Sequence, residues 1–178
     1  MSNRHQQNTI LRIRDSEDNW QEDKEVIGRT FVEYFENLFT TSQPEVSVEL
    51  LDAIHTKVTD IMNVRLLQEF QALEVEKALK QMHPVKASGP DGMPPLFYQH
   101  FWPTVNSIVT HAVLDFLNHG ATPPNFHETH IFLIPKTKNP ERVTDYRPIS
   151  LCNVAYKLAS KEVANRLKLV LQDVICEN

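Results

Sequence analysis

The sequence predicts an α+β fold, predominantly helical, with a small antiparallel hairpin. Three observations predict it. Apolar residues recur at helical spacing over residues 24–39, 105–117 and 154–175. Two short runs rich in β-branched and aromatic residues, His130 to Ile134 and Arg147 to Leu151, read as strands. Between the helical stretches lies a loop, Lys86 to Pro95, with three prolines and two glycines, too punctuated for either regular structure.

In chain order, Ile10 to Arg14, the polar turn Asp15 to Asn19, and Trp20 read as a strand, a turn and a second short strand. From Lys24 to Phe39 the stripe Ile27, Phe31, Tyr34, Phe35, Leu38 and Phe39 makes one apolar helix face, read as core rather than as a platform for stacking bases. Glu45 to His55 and Thr59 to Met82 read as helical, the latter broken near Phe70. In its second half Val75, Leu79 and Met82 share one face, and Glu76 and Lys80 form an outer (i, i+4) pair. His83-Pro84 stops that helix. Leu96 to Trp102 starts another, which Pro103 either kinks or replaces with a new first turn. The stripe Val105, Ile108, Val109, Ala112, Val113, Phe116, Leu117 runs on until Gly120 supplies a stop. The two strands then form a hairpin whose long tip carries Lys136, Lys138 and Arg142. The final helix, Val154 to Ile175, has apolar positions Leu158, Val163, Leu167, Val170 and Val174, with Lys157, Lys161 and Arg166 near a shared polar side.

Composition is globular, with 41% hydrophobic residues over 178 positions, enough for a sizeable core. The net charge of −5 conceals an asymmetry. Residues 1–83 hold 9 Lys/Arg against 15 Asp/Glu, whereas residues 136–168 hold 8 against 3. Such a local basic patch attracts phosphates, although the field of the whole chain does not steer nucleic acid strongly. The bland alternative is a solvated surface. Cys152 and Cys176 form no CxxC pair, so free thiols in a reducing compartment are expected. Neither a signal peptide nor a membrane-length apolar run is visible, which leads to the expectation of an intracellular protein, nuclear or cytoplasmic, without a membrane partner.

Lys136 and Arg147 are candidates for holding phosphate, since arginine offers a bidentate fork and lysine a mobile point charge. The alternative is two solvated cations at strand ends. Lys86-Ala87-Ser88-Gly89-Pro90-Asp91-Gly92 lacks the GxxxxGK[ST] order of a nucleotide-binding loop. Its glycines would let backbone approach a nucleic-acid strand, or the loop is simply a rigid connection. Histidines such as His127 and His130 have no nearby cysteines and no HExxH arrangement, so no metal site is read. Ser88, Ser150 and Ser160 lack a nucleophile's setting.

Several motifs in order resemble the reverse transcriptase of plant LINE-type (non-LTR) retrotransposons. They are Asp91-Gly92, Phe97-Tyr98, Phe101-Trp102, Phe132 to Lys136, Tyr146 to Val154, Tyr156-Lys157 and Ala164 to Leu167. The resemblance is strong over residues 70–178. More weakly, residues 8–69 look like the linker between such an enzyme's endonuclease and polymerase, which implies a helical connector over 1–69 and the fingers part of a right-hand polymerase over 70–178.

At matching positions the resemblance implies that Lys136 and Arg147 meet the phosphates of the incoming deoxynucleotide. It implies that Lys86, Ser88, Gly89, Asp91 and Gly92 lie near template and primer, and that Lys157, Lys161 and Arg166 track template backbone. Ser88 stands where the family often has proline, which suggests a less rigid loop. In the family, Mg2+ is held by aspartates from motifs beyond the position where this chain stops, and Asp91, Asp115, Asp145 and Asp173 fall in predicted loops or helices instead. The expectation is therefore a truncated RNA-directed DNA polymerase lacking palm and thumb: no catalytic residue, no metal or other cofactor of its own, inactive alone, with residual nucleic-acid or nucleotide binding. A separate palm-bearing chain would be a possible partner. The alternative is a non-catalytic helical interaction or structural remnant.

Overall fold

The computed structural model describes residues 9–43, 47–49 and 56–175. Contacts divide the chain into two units, one formed by residues 1–51 with 131–149 and the other by 52–130 with 150–178. Most of the stretch expected to form the hairpin falls in the unit that holds the N-terminal segment. The reason is the second strand run, whose inward residues pack with the first helix although more than a hundred residues separate them in sequence.

In the first unit, β1 (Ile13–Arg14) and β2 (Trp20–Gln21) pair antiparallel. Asp15 shapes their turn by accepting from the Glu17 and Asn19 backbone N–H groups, both at 2.9 Å. Helix α1 (Lys24–Phe39) starts at Asp23, whose carboxylate accepts from the N–H groups of Glu25 and Val26. It ends at Thr40, whose extended backbone cannot continue it. Ile27 and Phe31 are buried with Ile13, Val143 and Tyr146, and the Phe31 ring meets the Tyr146 ring edge-on at 5.2 Å. The far end of the expected stripe is not core: Leu38 and Phe39 are 57% and 71% exposed.

Strands β3 (Thr129–Pro135) and β4 (Tyr146–Cys152) form the second hairpin. Beyond the strand end, the Lys136 N–H donates to the Asp145 carbonyl at 2.7 Å. A 3-10 turn, Val143–Asp145, shapes the tip, and the Asp145 carboxylate accepts from the N–H groups of Glu141 and Arg142 at 3.0 Å. Those two bonds, the Arg142 one larger, hold the Asp145 carboxyl below its ordinary range. The tip is tied to β1 through the Arg14 N–H, which donates to the Glu141 carbonyl, and through the Arg142 to Asp18 ion pair at 2.9 Å.

The second unit is built from helices α2 (Asp60–Leu66), α3 (Ala72–Lys80), α4 (Pro95–His100), α5 (Trp102–His119) and α6 (Val154–Val174). The helix expected over Glu45 to His55 lies outside the described residues except for Ser47, which is not helical, and Val48 and Glu49, which are. The break expected near Phe70 is present between α2 and α3. Pro103 sits in the first turn of α5, where its missing N–H costs nothing, so the chain starts a new helix there rather than bending an old one. Gly120 ends α5 with φ 69°, a left-handed conformation that glycine adopts without strain.

The core joins Val75, Ala78 and Leu79 of α3, Val109 and Val113 of α5, and Val154, Leu158 and Ala159 of α6, with Met82 and Phe126 beside them. Side-chain amides satisfy exposed helix ends: Gln99 donates to the Leu79 and Met82 carbonyls at 3.0 and 2.9 Å. Asn118 brackets Phe70 by accepting from its N–H and donating to its carbonyl.

Helix α6 departs from the expected phase. Its buried positions are Val154, Leu158, Ala159, Glu162, Arg166 and Val170, whereas Val163 and Leu167 are 48% and 45% exposed. Glu162 and Arg166 have displaced two aliphatic residues from the inner face. Among the described residues no helix is long and apolar enough to cross a membrane.

Candidate nucleic-acid interface

The loop Lys86 to Gly92 is fastened to the start of α6. Asn153, the residue just before that helix, does not cap it; its side-chain oxygen accepts from the Asp91 N–H at 3.2 Å. Gly89 is buried against the same residue, and a Cβ there would stand 2.4 Å from the Asn153 nitrogen. Glycine is required at 89 for close approach, whereas at 92 it is required by φ 70°. Lys157, one turn into α6, donates to the Ala87 carbonyl at 2.7 Å. Asp91 accepts from the Met93 N–H and from the Tyr98 hydroxyl, and burial, helped by Asp91, pushes that hydroxyl up to about 12. With Ser88 half-buried between these anchors, the loop is held by its neighbours rather than by its own composition.

This fastening makes a basic cavity of about 520 Å³, lined by Gln81, Met82, His83, Lys86, Cys152, Lys157, Ser160 and Lys161. Three lysines and no carboxylate line it. Lys86 comes from the loop, and Lys157 and Lys161 lie one turn apart on α6. The cavity can receive an anionic group, with charge supplied by the lysines and direction by the Ser160 hydroxyl. Sequence reasoning named the lysines but missed Asn153 as the fastener, because its partner lies in a loop 62 residues upstream.

Arg166 is a correction. Expected among the template-tracking cations, it is turned inward and only 8% exposed. Its guanidinium donates to Glu74 at 3.0 and 2.8 Å, and to the carbonyls of Leu66, Gln68 and Glu69. It also lies 3.5 Å from the centroid of the Phe70 ring. The arginine bonds hold the Glu74 carboxyl below its ordinary range. Arg166 is therefore a brace for the α2 to α3 junction, unavailable to a phosphate.

In the other unit, Lys136 and Arg147 are both exposed. Alternation along β4 turns Tyr146 and Pro148 inward and Arg147 and Ile149 outward. The Lys136 ammonium donates to the Thr144 carbonyl at 2.6 Å, while Arg147 makes no ion pair among the described residues.

The four aspartates are separately engaged or exposed. Asp91 braces the loop, Asp115 pairs with His111 and His119, Asp145 holds the hairpin tip, and Asp173 is exposed near the end of α6. Among the described residues no group of three or more His, Cys, Asp or Glu is placed to hold a metal ion, so a magnesium centre does not fit them.

No protein-family model matches the chain. It is similar to a curated protein of Xenopus laevis described as "Transposon TX1 uncharacterized 149 kDa protein", with 30% identity over 156 residues. The likeness covers 86% of this chain and 12% of that protein. This chain is related to a transposon protein. It spans about an eighth of the length of that relative.

Proposed function

We propose that this transposon-related chain is the fingers side of a non-LTR retrotransposon reverse transcriptase, akin to plant LINE-type members, and that it binds nucleic acid without itself holding catalytic metals. The observation that carries the reading is the convergence of Lys86, Lys157 and Lys161 on one cavity. Two stretches far apart in sequence, the 86–92 loop and the first turns of the last helix, supply them, which gathers charge at one place as scattered surface lysines do not. The lysines would neutralise phosphates and release counterions, while Gly92 keeps the adjoining backbone free of side-chain bulk. Lys136 and Arg147 would contact the phosphates of an incoming nucleotide from the hairpin.

The test is binding of a labelled RNA template with a DNA primer, followed across salt concentrations. The reading expects the logarithm of affinity to fall linearly with the logarithm of salt, and a Lys86→Ala/Lys161→Ala double variant to lose about 1 to 2 units of that slope. Salt-independent binding, or a double variant indistinguishable from the native chain, overturns it. A non-catalytic interaction module is the competing reading. It draws on an apolar cleft of about 820 Å³ in the first unit, where Ile10, Phe31, Phe35, Phe39 and Leu133 meet. That reading expects no salt-dependent nucleic-acid binding.

A further inference from the structure

Glu162 has no role in the basic cavity. It lies on the inner face of α6, 1% exposed, and both carboxylate oxygens are buried without a hydrogen-bond partner. A buried carboxylate without donors is costly, so the group is held neutral instead. One turn further along the same helix lies Arg166, the cation best placed to pair with it, but that guanidinium is committed to Glu74 and to three carbonyls at the α2 to α3 junction. Arg166 thus faces two competing acids and is engaged by one.

We propose that Glu162 is a proton-operated release for the Arg166 brace: while neutral it leaves the guanidinium to the α2 to α3 junction, and once ionised it draws it away and frees residues 66–70. The proton goes to solvent, and no other bond is made or broken. Glu162 lines a cavity of about 320 Å³ with Glu74, Lys77, Gln81, Asn165, Arg166, Lys168 and Leu169, so water has a route for the exchange.

The surrounding charges favour this assignment. Burial pushes the Glu162 carboxyl up to about 8, the Glu74 charge adds to the rise, and Arg166 opposes it. Lys77 of α3 and Lys168 of α6 line the cavity without appearing among the groups that shift it. From the other helices against α6, α2 carries Asp60 and Arg65, both exposed, and α5 carries His111, Asp115 and His119, engaged with one another at the surface. Because the folded value lies above the ordinary 4.5, the stability that neutral Glu162 contributes is complete below about pH 4.5 and is lost as pH rises through about 8. The release is therefore an alkaline one. Its consequence falls on α6, the helix that presents Lys157 and Lys161 from its opposite side.

Amide hydrogen exchange across residues 66–71 tests the proposal, comparing the native chain with Glu162→Gln between about pH 6 and about pH 10. After division by the exchange rate of an unstructured peptide, the opening equilibrium of this segment should rise in the native chain by up to about tenfold per pH unit until about pH 8 and level off above it. In Glu162→Gln it should stay level, as should the amides of residues 27–31 in both proteins. Should glutamine prevent folding, Glu162→Met, equally unable to ionise and close in volume, carries the same expectation. A level response in the native chain, an equal rise in the variant, or a rise spread uniformly over both units overturns the proposal.

Discussion

The two basic regions of this chain are built in opposite ways. The cavity between the Lys86 loop and α6 is held by a buried glycine, an asparagine that ties loop to helix, and a lysine hydrogen-bonded to a loop carbonyl. The hairpin carries Lys136 and Arg147 on exposed backbone beside exposed Phe132 and Ile134. The first region meets an anion with three lysines already gathered on one cavity, whereas in the second Arg147 makes no ion pair among the described residues and loses rotamer entropy on binding. Identical charge thus carries different meaning in the two places.

The sharpest way to break this comparison is to remove the brace beneath α6. Arg166→Ala strands Glu74 and three carbonyls and should cost about 3 kcal/mol, the lower end for a buried pair because Glu74 is 36% exposed. Arg147→Ala on the hairpin should change stability by no more than about 0.5 kcal/mol. Urea unfolding measures both. Equal costs would mean that the two regions are equally scaffolded.

Gly89→Ala asks whether the loop is held as described. A Cβ standing 2.4 Å from the Asn153 nitrogen has to push the loop off α6, for about 2 kcal/mol of lost stability and weaker template binding. Gly28→Ala is the control, since nothing lies within 4 Å of a Cβ there and the residue is mid-helix, so it should gain about 0.5 kcal/mol. A tolerated alanine at 89 in both thermal melts and binding would contradict the fastening.

Acid provides a third contrast. Glu74 is held below the ordinary 4.5 chiefly by the Arg166 hydrogen bonds, so its contribution is complete above that value and is lost as pH falls through the lowered one. Amides at residues 66–71 should therefore open on acidification, and Glu74→Gln should remove that acid limb. An acid limb that survives in Glu74→Gln would assign it elsewhere.

The smallest expected effect concerns binding alone. Lys161→Ala should leave the melting temperature unchanged and reduce the salt slope for a template and primer by about 0.9, one phosphate contact. Arg147→Ala should leave the slope for the same duplex unchanged when no nucleotide is present. If Arg147→Ala proves the more damaging of the two under those conditions, the hairpin rather than the α6 cavity is the nucleic-acid surface.

Much of this was legible in the chain. Local patterns determined the helices at 24–39, 102–119 and 154–174, the break near Phe70, the stop at Gly120 and the two strands, because periodicity, proline and glycine act on near neighbours. Lys86, Lys157 and Lys161 are picked out by the family resemblance, not by periodicity or charge. Only the tertiary structure decided which face of α6 turns inward and which cations remain free. Read by polarity, Val163 and Leu167 belong inside and Arg166 outside; the fold reverses them because Arg166 finds its carboxylate and carbonyls 92 to 100 residues upstream. A charge can be buried when distant partners replace water, and no local pattern records those partners.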